Sequence, residues 1–175
     1  GESEIARIGI DDPGVDAEPG GWFDYSGEFD PDFTLEDLSH RALVVALQEI
    51  AVQTHLLAHA YLHSVARRWG AGEAHELAPQ VATGTAGVGA GRLPSVLGIR
   101  GDDAAALAKL LQLHPLFQPR TYVAPVIELL DDRSVRFALR DAPCFHEPDD
   151  LSWFASMTAE PSPVLDEIAR AINRR

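Results

Sequence analysis

Residues 35–69 read LEDLSHRALVVALQEIAVQTHLLAHAYLHSVARRW, and this stretch decides the fold. It is an almost uninterrupted helical segment. Thr34 followed by Asp37 has the spacing of a capping box, in which an acid three residues on answers the cap and favours the helix dipole. Leu43, Ala46, Leu47, Ile50, Leu57, Ala58, Tyr61, Leu62, Val65 and Trp69 sweep a wide apolar face, expected to pack in the core, and Gly70 and Gly72 supply the stop.

The same segment carries His55, His59 and His63 at four-residue spacing. At about 100° per residue the three fall within an arc of about 80°, so their imidazoles line one side of the helix. Such a row can hold a transition metal or haem, with Glu49 as a further ligand or base and His75 or Glu76 completing a set from another helix. Against that, neither His-Glu-x-x-His nor Glu-x-x-His occurs, and Arg41 and Arg67 share the side and resist a dication. A hydrogen-bonded interface is the simpler expectation, because Val45, Val52 and Leu56 make that side mixed rather than solvated.

Outward from the helix the pattern changes twice. Towards the N-terminus, residues 1–33 mix Asp, Glu, Gly and Pro with isolated aromatics and read as an acidic extended arm. Gly1 to Gly20 are expected to connect upstream, and Trp22 to Phe33 to drape over the domain or a partner. Towards the C-terminus, Pro79 opens a segment over residues 80–99 whose glycine-laden middle, Thr83 to Gly91, predicts a weak helix or a loop. Asp102 caps a third helix over residues 103–113, ended by Pro115. From Thr121 the period becomes two: Val123, Pro125, Ile127 and Leu129 alternate with their neighbours, and Val135, Phe137 and Leu139 answer across the turn at Asp131-Asp132-Arg133. Pro125 puts the first strand at an edge or a bulge. Ser162-Pro163 caps a terminal helix. Helices first, then a hairpin, then a helix is the order of an α+β domain, expected over residues 34–175.

The sequence Arg68-Trp69-Gly70 at the helix end, Leu97-Gly98-Ile99, Leu113-His114-Pro115 and Arg140-Asp141-Ala142-Pro143-Cys144 together resemble a family of small bacterial and archaeal α+β domains of unknown function, over roughly residues 40–145. The resemblance implies a fold and no activity. Only Cys144 stands where that family's tail is richer in cysteine.

Composition narrows the function. The net charge of −13 is concentrated in residues 1–37, which hold twelve acids and Arg7, a net of −11. No basic patch neutralises phosphates, so neither nucleic acid nor an anionic membrane is expected as a partner. One cysteine forms no internal disulfide, and with no basic-then-apolar leader the expected place is the cytoplasm. Gly84 to Gly91 lacks the preceding strand and the Lys-Ser/Thr pair of a phosphate loop. Cys144 and His146 lie too close in sequence for adjacency alone to establish a nucleophile and base, and the thiol is expected to close the hairpin core. His114 is expected at a helix end, where a partial positive charge suits the dipole.

The sequence therefore predicts a non-catalytic module that binds a small apolar ligand or assembles with a protein partner or a second copy, without a cofactor. The alternative is a metal- or haem-binding enzyme domain built on His55, His59, His63 and Glu49.

Overall fold

The computed structural model describes residues 21–146, 151 and 162–173. The expected connection at Gly1 to Gly20 lies outside them. The described residues divide into two compact units between Val45 and Ala46.

In the first unit residues 22–33, expected to be extended and to drape over the domain or a partner, fold against one another and against residues 37–39. Trp22 pairs with Leu38 in a short parallel bridge: the Ser39 N–H donates to the Trp22 carbonyl at 2.9 Å, and the Trp22 N–H to that of Asp37 at 2.6 Å. Trp22, Tyr25 and Phe33 stack with centroids 4.9–5.5 Å apart, and the Arg41 guanidinium lies 4.8 Å from the Phe23 ring centre. Stacked rings and a cation over an aromatic face replace the apolar core that so short a segment cannot build. The Asp37 carboxylate accepts from the Thr34 N–H at 2.7 Å and its hydroxyl at 3.1 Å, as the capping-box spacing predicts. It closes a 3-10 turn at Leu35–Asp37 rather than the long helix. The long helix, α1, spans His40–Trp69, with the Ser39 hydroxyl accepting from the Ala42 N–H at 3.2 Å.

In the second unit α1 runs to Trp69, stops at Gly70, and is followed at once by α2 (Ala71–Leu97). The region expected to be a weak helix or a loop, Thr83 to Gly91, is continuous helix, and the helix begins eight residues before Pro79. Tertiary packing overrides the glycine penalty. Ala74, Ala78, Ala82, Ala86 and Ala90 form one buried row at four-residue spacing, and α5 (Pro163–Ile172) packs along α2. Residues without bulk let helix backbones approach closely, and burial recovers what intrinsic propensity lacks.

Beyond α2, α3 (Ala104–Leu113) is capped by Asp103, one residue later than expected, whose carboxylate accepts from the Ala106 N–H at 2.8 Å. A 3-10 turn at Pro115–Phe117 and the one-turn helix α4 (Arg120–Val123) precede the hairpin. The alternation from Thr121 is therefore a strand only from Pro125. β1 (Pro125–Asp131) pairs antiparallel with β2 (Ser134–Leu139), Ile127 opposite Phe137 and Leu129 opposite Val135, with a bulge between Leu129 and Asp131. The Arg133 N–H donates to the Asp131 carboxylate at 2.8 Å and sets the turn. Ile127, Val135, Phe137 and Leu139 face a core built from Ala82, Ala86 and Ala90 of α2 with Leu110, Leu111, Phe117, Cys144, Val164 and Ile168. The architecture is α+β.

Candidate binding cleft

Two apolar rows run along α1, about 100° apart on the helix. The inner row is Ala51, His55, Ala58, Leu62 and Val65. All but the half-buried Ala58 are buried, and near the α1–α2 connection Leu62 and Val65 pack with Ala74, Ala78 and Leu151. The outer row is Leu47, Ile50, Thr54, Leu57 and Tyr61. There Leu47, Ile50 and Leu57 are 67%, 61% and 71% exposed and Tyr61 is 48% exposed. The residues expected to face the core therefore split: Leu62 and Val65 do, whereas Leu43, Leu47, Ile50, Leu57, Tyr61 and Trp69 are exposed.

Between the two helices lies a cleft of about 470 Å³. One wall is Thr54, His55, Leu57, Ala58, Tyr61 and Leu62 of α1, the other is Ala78, Val81, Ala82 and Thr85 of α2, and Leu116 joins them. A second hollow of about 460 Å³ shares Thr54, Thr85 and Leu116 with it and extends past Gly84, Val88, Gly89 and His114. The lining is nearly all apolar. Its polar members are largely committed within the protein: the Thr54 hydroxyl donates to the Ile50 carbonyl at 3.0 Å, and His55 Nε2 lies 2.8 Å from the Gln118 carbonyl oxygen. A carbonyl only accepts, so Nε2 carries the proton.

The histidine row does not gather into one site. His55 is buried, His59 half-buried, and His63 and Glu49 exposed, as are His75 and Glu76. Each four-residue step advances 400°, so the row drifts by about 40° per step away from the covered side. Among the described residues no three His, Cys, Asp or Glu side chains group as a metal site. Cys144 is buried in the core, while His146 is exposed with its Nε2 3.4 Å from an Asp141 carboxylate oxygen. The Gly84 to Gly91 backbone lies within α2, so it offers no phosphate cradle.

The buried histidine that sequence reading passed over is His114. It stands at the end of α3, as expected, but is 1% exposed and buried in the core rather than set on the surface. The Leu116 N–H donates to its Nδ1 at 3.2 Å, so Nε2 carries the proton and donates to the Ala86 carbonyl at 3.1 Å. Burial holds its pKa below the ordinary histidine value, against a smaller opposing effect of the Ala86 hydrogen bond.

α1 is also the one described helix long and apolar enough to cross a membrane by length and composition: its most apolar window has a mean hydropathy of 1.2 and is 11% buried. No protein family matches the chain, and neither a curated protein nor a solved structure is significantly similar to it.

Proposed function

We propose that the protein is a non-catalytic binding and assembly module whose α1–α2 cleft and outer α1 row receive an apolar partner. The observation that carries this reading is the exposure of Leu47, Ile50, Leu57 and Tyr61 in one continuous row beside an apolar cleft. Burying each such aliphatic side chain is worth about 1.5–3 kcal/mol, and a contiguous apolar surface of this kind marks an interaction site. The cleft offers no nucleophile, acid–base pair or grouped metal ligands among its described residues, which supports binding over chemistry. The acidity of residues 1–37 supports a partner other than nucleic acid, and the lone buried thiol suits the reducing cytoplasm.

A small apolar ligand is the second reading, favoured by the cleft volume. Titration with Nile red, a neutral apolar fluorophore, tests the shared claim that the cleft takes apolar groups. Blue-shifted, enhanced emission that is lost in a Thr85→Trp variant, which fills the cleft from an exposed position, is the expected result. Emission unchanged by protein, or equal in both proteins, would overturn it.

A further inference from the structure

We infer that the occupant of the outer α1 row is the α1 helix of a second copy of this chain, packed antiparallel. This rests on the assembly reading above and names its partner.

Leu43, Leu47, Ile50, Thr54, Leu57 and Tyr61 follow one another at spacings of four, three, four, three and four. That is the two-position repeat of a coiled-coil seam, and all six members are exposed among the described residues. The row is self-complementary when reversed. Centred on residue 52, an antiparallel copy sets Leu47 against Leu57, Ile50 against Thr54 and Leu43 against Tyr61, so each member meets another member. Thr54 brings no orphan hydroxyl into such a seam, because its Oγ1 already donates to Ile50. The outward shoulder of the seam is Ala46, Gln53 and Ala60. It holds no charge to repel an identical helix, and its small residues allow close approach.

Charge selects the direction. α1 ends in Arg67 and Arg68, and its first turn is preceded in sequence by Glu36 and Asp37. A parallel copy would set arginines beside arginines and align the two helix dipoles. The reversed copy instead brings Arg67 and Arg68 to the end of its partner's helix that Glu36 and Asp37 precede in sequence, and opposes the dipoles. A bilayer span is the weaker fit, because the exposed sides of α1 also present Gln48, Glu49, Gln53 and His63, which hydrocarbon would strip of water.

Sedimentation equilibrium of the full 175-residue chain is the test, with circular dichroism to confirm folding. A dimer of two 19.0 kDa chains is expected. Leu47→Glu with Leu57→Glu, at exposed positions, should give a folded monomer. Direction is read from two single variants, Leu47→Cys and Leu57→Cys, with native Cys144 buried and unreactive. Mixed and oxidised, the antiparallel seam gives the Leu47→Cys/Leu57→Cys heterodisulfide. Homodisulfides from each variant alone would mean a parallel seam and overturn the inference. So would a monomer at all concentrations, or a chain that dimerises unchanged after the double substitution, or one that is monomeric but floats with phosphatidylcholine vesicles. A monomer that still binds Nile red in the cleft leaves the module reading standing without this partner; a monomer that binds none removes both.

Discussion

His55 Nε2 sits 2.8 Å from the carbonyl oxygen of Gln118, 63 residues further along the chain. This bond ties the inner side of α1 to the segment before α4, with the His55 ring 5.3 Å from that of Tyr122. It turns the first histidine of the row into a structural donor and leaves the cleft wall apolar.

Replacing His55 by Leu should therefore lower stability by about 1–3 kcal/mol, since the Gln118 carbonyl loses its buried donor. Urea unfolding midpoints measure this. Elemental analysis and an ultraviolet–visible spectrum of untagged protein accompany it. The account expects neither a stoichiometric transition metal nor a Soret band, and either would return the row to a metal or haem role.

His114 gives stability a pH dependence of defined sign. Its folded pKa lies below the ordinary histidine value of about 6.5, so below that pH the unfolded chain binds a proton that the folded chain refuses. The stabilisation is present above pH 6.5 and is lost as pH falls through the folded pKa, with a slope of at most about 1.4 kcal/mol per pH unit. Urea midpoints between pH 7.5 and 5 should fall less steeply in a His114→Gln variant than in the parent. Equal slopes would place the dependence on other groups.

Two glycines of α2 should respond oppositely to alanine. A Cβ at Gly91 meets nothing within 4 Å, so Gly91→Ala should stabilise by about 0.5–1 kcal/mol through helix propensity. A Cβ at Gly89 would stand 3.0 Å from His114 Nε2. Gly89→Ala should forfeit that gain and destabilise, because the buried imidazole is held on both nitrogens. Thermal melts of the two variants, shifted in opposite directions, check this.

Gly21 is fixed by both space and conformation. Its φ is +107°, and a Cβ there would stand 2.6 Å from the Leu38 carbonyl carbon and the Ser39 nitrogen. Gly21→Ala should break the Trp22–Leu38 bridge, at a local cost of about 1–3 kcal/mol. The aromatic near-ultraviolet dichroism of Trp22 and Tyr25 should weaken while the far-ultraviolet spectrum barely changes.

Sequence periodicity made the α1 end at Gly70, the hairpin turn at Asp131 to Arg133, the terminal helix and the α+β order legible, because local chemistry decides each. α2 was not legible as one helix. Its Gly and Pro argue against helix locally, and only packing of its alanine row against distant residues overrides them. The burial of α1 was misread for a different reason. One broad apolar face was expected, but the 51/55/58/62/65 row and the 47/50/54/57/61 row are separate, and among the described residues the first is largely buried and the second exposed. The cleft between α1 and α2 depends on Val81, Thr85 and Leu116, whose approach to α1 has no local signal. Four-residue histidine spacing is legible in the sequence, but the 40° drift per step carries His63 out to the exposed side.

The most direct measurement is hydroxyl-radical footprinting of Leu57 and Tyr61 across a dilution series of the full chain. At 71% and 48% exposure both residues label readily in a lone chain. The account predicts that they are protected at high protein concentration and become labelled on dilution, while Leu130, 53% exposed on the hairpin, labels equally throughout. Uniform labelling of Leu57 and Tyr61 at every concentration would contradict it.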